Sequence, residues 1–262
     1  MKLENRTVLI TGGTSGIGLE LAKQFARRDN AVILTGRDEQ KLDAVRHALP
    51  GVHTFKSDVS DPAAIATLYN EIVSKFPSLD ILINNAGIMR QVNLHQAGSD
   101  IEDLTREIDI DLTGPIRMVV QFLPHLKTQM SAAIVNVSSG LAFLPAPQWP
   151  IYCAAKAGIH SFTISLRAQL KRTNVRVFEL APPLTMTPLA TGAADAEDLK
   201  GIPMMSAEKL ARRAIEGMGR DKLEIRPGLS NVMKLTGRIA PNWLLRRMVD
   251  PTVDRMLSQT SD

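Results

Sequence analysis

Cysteine is nearly absent from this chain. Cys153 is the single one in 262 residues, which excludes a disulfide framework. Five histidines are scattered without the spacing of a ligand set, so no metal site is expected. Aromatic residues make up only 4% of the chain, and Tyr69 and Tyr152 are its tyrosines. Chemistry that needs a phenol therefore has few candidates. Neither sign of charge dominates. Against 27 Asp and Glu stand 31 Lys and Arg, a net charge of +4, and the signs are mixed along most of the chain, which argues against a nucleic-acid partner. No targeting segment is expected: residues 1–6 are polar, and the apolar run after them stops at Gly12-Gly13, too short for a signal-peptide core. The cytoplasm is the expected compartment. One uncharged stretch, residues 128–155, has the length of a membrane span. It contains Asn136, Ser138, Ser139, Pro145, Pro147 and Pro150, and the prolines would break a spanning helix. It reads as a buried strand followed by a loop.

Apolar residues are 44% of the chain, enough for a sizeable core. Short β-branched or apolar runs predict strands at residues 7–11, 31–35, 52–57, 80–84, 133–138 and 175–180, with a weaker one at 222–225. Most are continuously apolar, as strands buried on both faces are. Helical patterns lie between them at 17–28, 39–48, 62–76, 101–130, 151–172 and 207–219. Asp61 is an N-cap candidate with Pro62 in the first turn, and Ser206 is another with Glu208 after it. This alternation predicts an α/β fold: a doubly wound parallel sheet of the Rossmann type, about seven strands with helices on both faces. No linker divides the chain, so residues 1–262 read as a single domain. Residues 184–205 are rich in small side chains and read as a substrate lid. From about 229 onward the alternation ends in a basic helical tail (231–239 and 241–257) that carries Lys234, Arg238, Arg246, Arg247 and Arg255. Three readings of the tail stay open. It covers the domain's own apolar surface, it forms an oligomer contact, or it lies on an anionic membrane with Trp243, Leu244, Leu245 and Met248 inward.

The first strand runs into Thr11-Gly12-Gly13-Thr14-Ser15-Gly16-Ile17-Gly18, and a helix follows. Glycines there let the backbone turn tightly and approach a pyrophosphate, and the helix N-terminus offers it free N–H groups and a positive dipole. The turn resembles the Thr-Gly-X-X-X-Gly-X-Gly of the short-chain dehydrogenase/reductase family. Further family motifs follow in order: Asp58-Val59, Asn84-Asn85-Ala86-Gly87, Ser139, and Tyr152-X-X-X-Lys156. The resemblance spans about residues 5 to 190. Less specifically, the chain is similar to a bacterial branch of oxidoreductases from lipoteichoic-acid D-alanylation operons. The family resemblance implies a nicotinamide cofactor. Gly12, Thr14, Ser15, Gly16, Ile17 and Gly18 would hold its pyrophosphate. Asp58 and the Val59 backbone would meet the adenine, and Asn85, Ala86 and Gly87 would line the cofactor. Thr185 and Thr187 would hold the carboxamide, and Lys156 would contact the nicotinamide ribose beside Tyr152.

Selectivity between the two nicotinamide cofactors is set at the end of the second strand. An acid there accepts from a ribose 2′-hydroxyl and repels a 2′-phosphate. Gly36 occupies that slot and Arg37 follows, and a guanidinium binds phosphate bidentately. NADP is therefore the expected cofactor, with NAD left possible by Asp38 and Glu39 close by.

Hydride transfer to a carbonyl leaves an alkoxide that must be protonated, and the reverse must deprotonate an alcohol. A tyrosine starts near pKa ~10, and lowering it by about three units corresponds to ~4 kcal/mol. Lys156, one helical turn from Tyr152, can supply much of that. Ser139 can hold the substrate oxygen, and strand alternation turns Ser138 to the other face. Two departures from the family pattern stand out. The family's fourth catalytic residue is usually an Asn that helps order a proton-relay water, and the matching position here is Asp111. The family's Pro-Gly after the sixth strand is Pro182-Pro183, a stiffer loop. Ile88, Met89, Phe143, Leu144, Trp149, Met186 and Leu189 are candidate pocket residues. Their apolar character points to a hydrophobic carbonyl or alcohol as the small-molecule partner. Further copies of the chain are expected in a homodimer or homotetramer. Two function classes remain: an NADP(H)-dependent carbonyl reductase or alcohol dehydrogenase, and a non-catalytic nicotinamide-binding regulatory or scaffold protein in which Asp111 marks decay.

Overall fold

The computed structural model describes residues 1–95, 100–193 and 201–239, together with Val253. The part of the tail predicted as helix 241–257, the side chain of Arg238, and the middle of the predicted lid lie outside the described residues.

Seven parallel strands form one sheet. They are β1 (Thr7–Thr11), β2 (Ala31–Gly36), β3 (Val52–Lys56), β4 (Leu79–Asn84), β5 (Ala132–Val137), β6 (Val175–Leu180) and β7 (Glu224–Ile225). Their order in space is β3-β2-β1-β4-β5-β6-β7, every neighbour parallel. The helices are α1 (Gly16–Ala26), α2 (Glu39–Ala48), α3 (Pro62–Lys75), α4 (Gly114–Thr128), α5 (Pro150–Gln169), α6 (Ala207–Gly219) and α7 (Leu229–Ile239). The continuous apolar runs have a physical consequence, because alternate side chains of one strand serve two cores. Val8 and Ile10 join Leu21 and Phe25 of α1, Val45 of α2 and Leu210 of α6 on one face. Leu9 joins Ile65 of α3, Phe122 of α4 and Leu166 of α5 on the other. This is the doubly wound Rossmann arrangement, and the strand order reverses between β1 and β4, where such sheets open a crevice.

The caps fall where the sequence placed them. Asp61 Oδ1 accepts from the Ala63 amide at 2.8 Å and Ser206 Oγ from the Lys209 amide at 3.2 Å. The seventh strand is shorter than expected. The expected helix 101–130 is not one helix. Turns at Ile101–Leu104 and Arg106–Ile108 lead into a π-helical turn at Asp109–Thr113, and only then does α4 begin. Gly114 donates its amide to the Asp109 carbonyl, five residues back. Pro115 has no N–H to offer the Asp111 carbonyl, so the regular ladder fails there. The widened turn buries the Asp111 side chain completely. A buried chain of amides and a hydroxyl locks β4, β5 and α5 together: Asn84 Nδ2 donates to Asn136 Oδ1 at 2.9 Å, and Asn136 Nδ2 donates to Thr163 Oγ1 at 2.9 Å.

The predicted lid begins and ends in a short parallel ribbon, Thr185–Met186 against Met205–Ser206, so its two ends are held side by side beside the crevice. Among the described residues no helix is long and apolar enough to cross a membrane.

Candidate active site

A cleft of about 740 Å³ opens along the carboxyl ends of the strands. Its first wall is the glycine turn. Gly12 has φ +64°, and a Cβ there would lie 2.7 Å from the Ala86 Cα; a Cβ on Gly18 would lie 2.4 Å from the Gly12 carbonyl oxygen. Only glycine lets these backbone segments approach so closely. The Asn85 side chain holds the turn from the far side, donating to the carbonyls of Thr11 and Gly12 at 3.0 Å each. Ser15 precedes α1 without a side-chain cap bond, which leaves the helix N-terminus to a ligand. Thr14, Ser15, Gly16, Ile17, Arg37, Asp58, Val59, Ala86 and Gly87 all line the same cleft. Ser57 Oγ, at its edge, is buried with no hydrogen-bond partner among the described residues. Glycine cradle, uncapped helix start and orphaned hydroxyl together fit a dinucleotide.

Asp58 is fixed by Ser60, whose amide and hydroxyl donate to Oδ1 at 2.9 and 2.7 Å. Burial raises its pKa, but those bonds and the Arg37 charge outweigh it and hold the carboxyl below its ordinary value. Arg37 Nη1 lies 3.9 Å from Asp58 Oδ2 and the side chain is about half exposed. Asp38 is spent on capping α2, accepting from the Lys41 amide at 3.2 Å, and Glu39 reaches Arg46 at 3.9 Å. Neither acid lines the cleft.

The central wall is the start of α5. Pro150 opens that helix, so Tyr152 stands in its first turn and Lys156 one turn on. Ser139 stands two residues after the end of β5; its Oγ accepts from the Leu141 amide at 3.1 Å, and its hydroxyl is one of the groups that pull the Tyr152 pKa down. Ser138 faces away, as the alternation predicts, and donates to Glu179 Oε1 at 2.5 Å. Lys156 Nζ donates to the Val137 carbonyl at 3.2 Å and lies 5.4 Å from the centre of the Tyr152 ring.

Asp111 is where the geometry departs from the expected relay water. Its Oδ2 lies 3.1 Å from Lys156 Nζ, a direct and fully buried ion pair, while Oδ1 accepts from the Ile88 amide at 2.8 Å. Burial raises the Asp111 pKa against the pull of Lys156. Burial also works against the lysine's charge, but Asp111 outweighs it and Lys156 titrates above its ordinary value. Burial pushes the Tyr152 phenol up. Lys156 and the Ser139 hydrogen bond pull it down, and Asp111 pushes it up again; the balance lies above the ordinary value. The lowering expected from Lys156 alone is thus cancelled, because the lysine is already neutralised by Asp111 and the phenol is dry.

The remaining wall corrects the pocket expectation in two places. Ile88, Met89, Leu144, Trp149 and Leu189 line the cleft, but Phe143 turns away to meet the His160 ring edge-on at 4.9 Å, and Met186 points to solvent. Thr185 and Thr187 both line it; Thr185 Oγ1 donates to the Pro183 carbonyl at 2.7 Å and Thr187 caps the short helix Pro188–Gly192. Among the lining residues not anticipated as such are Leu229, Val232, Met233 and Thr236, all from α7. Their spacing marks one helix face in the sequence, but a face directed at a core has the same spacing.

Residues 6–198 match the family model described as short chain dehydrogenase. The chain belongs to the short-chain dehydrogenase family. It is accordingly an oxidoreductase of the class that acts on CH–OH and C=O groups with a nicotinamide cofactor. It is 41% identical over 227 residues to the uncharacterized oxidoreductase DltE of Bacillus subtilis (strain 168), covering 86% of this chain and 89% of that one, which supports the narrower bacterial resemblance. The structure of a 3-ketoacyl-(acyl-carrier-protein) reductase from Brucella melitensis complexed with NADH is 29% identical, with TM-score 0.76, covering 82% of this chain and 91% of that one. A short chain dehydrogenase from Burkholderia cenocepacia J2315 in complex with NADP has TM-score 0.81 at 23% identity, covering 95% and 99%; at that identity it shares the fold. One of these structures holds NADH and the other NADP.

Proposed function

We propose that this chain transfers a hydride between NADP(H) and a neutral, apolar carbonyl or secondary alcohol, with Tyr152 as the general acid/base. The observation that carries the reading is the convergence on one cleft wall of Ser139, Tyr152 and Lys156, facing a glycine cradle built for a dinucleotide. The nicotinamide, when bound, supplies or takes up the hydride. The chain's own residues do the rest. Ser139 Oγ orients the substrate oxygen. Tyr152 gives its hydroxyl proton to that oxygen in reduction, and in oxidation its phenolate takes the proton of the alcohol. Lys156 has three donors; Asp111 and the Val137 carbonyl engage two of them, and the third suits a ribose hydroxyl. Gly12, Thr14, Ser15, Gly16, Ile17 and Gly18 would hold the pyrophosphate, Asp58 and Val59 the adenine, and Asn85, Ala86, Gly87, Thr185 and Thr187 the nicotinamide half.

Arg37 supports NADP. It lines the cleft half exposed, while Asp38 and Glu39, the acids that would favour NAD, are engaged along α2. A charge-assisted bond to a 2′-phosphate is worth roughly 1.5–3 kcal/mol, or about ten- to a hundredfold in affinity. Calorimetric titration is expected to show NADPH binding tighter than NADH. Arg37→Ala should weaken NADPH by about that factor and leave NADH unchanged, and Gly36→Asp with Arg37→Ile should reverse the preference. Equal affinities in the wild type, with neither altered by Arg37→Ala, would refute the phosphate contact.

A further inference from the structure

Leu229, Val232, Met233 and Thr236 stand at i, i+3, i+4 and i+7 of α7, one face of the helix, and all line the cleft. That face is not a core face. Val232 is 50% exposed although it is an aliphatic side chain turned into a cavity. The helix is seated against the turn that carries Ser139: a Cβ on Gly140 would lie 2.9 Å from Met233 Sδ, and one on Gly237 would lie 2.5 Å from the Phe143 carbonyl oxygen. It is fastened by charge on its other side. Lys234 Nζ pairs with Glu224 Oε1, which Arg226 Nη1 also approaches at 3.4 Å. Lys234 further lies 5.2 Å from the centre of the Phe143 ring. Among the described residues the charged side chains that line the cleft are Arg37, Asp58 and Lys156, at the dinucleotide end and beneath Tyr152. Among the described residues the rest of the lining, Leu144, Trp149, Leu229, Val232 and Met233 included, carries no charged side chain.

We infer that α7 forms an aliphatic-chain subsite: its Leu229–Val232–Met233 face holds the hydrocarbon tail of the substrate whose carbonyl or hydroxyl lies at Ser139 and Tyr152, and so sets the chain length the enzyme prefers. This rests on the hydride-transfer reading for which end of the substrate reacts. A tail laid along an uncharged apolar wall gains about 0.8 kcal/mol per methylene removed from water, or about fourfold in affinity. A carboxylate on that wall must be desolvated by the same tail and cancels the gain.

The test needs no turnover. Methyl ketones from hexanone to dodecanone are titrated calorimetrically into the protein saturated with oxidised cofactor. Affinity is expected to rise about fourfold per methylene until the helix face is covered. Val232→Glu, at an exposed position and with an unchanged melting temperature, is expected to reduce the rise to less than about twofold. Met233→Ala is expected to flatten it at the longer chains, where the lost contact would have been made. A flat series in the wild type, or a rise untouched in both variants, overturns the subsite. Ketones that bind with the full rise but are never reduced would leave the subsite standing and remove the proposed reaction. Ketones reduced with no dependence of affinity on length would do the reverse.

Discussion

Tyr152→Phe is expected to abolish turnover while the cofactor still binds. The substitution removes one hydroxyl; the ring stays in its buried place against Trp149 and Cys153. General acid/base groups of this kind contribute about 10²–10⁴-fold, and with Ser139 unable to supply a proton of comparable acidity the loss should lie at the upper end. Steady-state rates with any carbonyl the wild type accepts, together with cofactor affinity by calorimetry, check it. Turnover near the wild-type level in the phenylalanine variant would remove Tyr152 from the mechanism. Lys156→Ala should also be severe and, unlike the phenylalanine variant, should weaken cofactor binding. It also strands the Asp111 carboxylate, which is fully buried and held by Lys156 at 3.1 Å.

Asp111→Asn should move the pH–rate profile for alcohol oxidation to lower pH. Oxidation requires the phenolate, so its rate falls as pH drops through the Tyr152 pKa. Asp111 raises that pKa, and it also neutralises the lysine that would lower it. At ~6 Å and an effective dielectric of ~20, one charge is worth roughly 3 kcal/mol, about two pKa units at most. With the carboxylate gone, a larger fraction of Tyr152 is ionised near neutrality, and activity there should equal or exceed that of the wild type. Opening a buried ion pair costs roughly 3–5 kcal/mol of stability, less the hydrogen bond that an amide can still accept, so rates are compared well below both melting temperatures. An unshifted profile would mean that the Asp111 charge is fully compensated by Lys156 and the Ile88 amide. A large loss at every pH would mean that the enzyme needs the carboxylate itself.

Much of this fold is legible in the sequence because its central strands are buried on both faces. Runs such as Leu9-Ile10 and Ile81-Leu82-Ile83 have no polar alternation to mislead, and six strands stand within a residue or two of where the pattern places them. The stretch from 101 to 130 was not legible. Helical periodicity continues through it, and the π turn arises from a missing amide at Pro115 together with the close approach of Gly114 to Val59, a contact distant in sequence. The position of Asp111 could be aligned from family motifs, but the direct ion pair depends on that turn. The orientation of side chains in the short segments around the cleft was not legible either. Phe143 is as apolar as Leu144 and no periodicity in their turn says which faces inward, while Met186 and Leu189 stand in a strand and a helix too short to show a period. The face of α7 was visible as a pattern, yet the same spacing suits a core, a partner or a pocket, and only its seat on the Gly140 turn decides.

Single-turnover hydride transfer is the most direct test of the proposed reaction. The protein is saturated with NADPH and mixed with the methyl ketone series, and the absorbance of the reduced nicotinamide is followed. Carbonyl-dependent loss of that absorbance in the wild type, and none in Tyr152→Phe with cofactor equally bound, is the predicted result. Tight cofactor binding with no loss for any carbonyl, and no formation of reduced cofactor from any alcohol, would contradict the account and leave a nicotinamide-binding protein without the reaction.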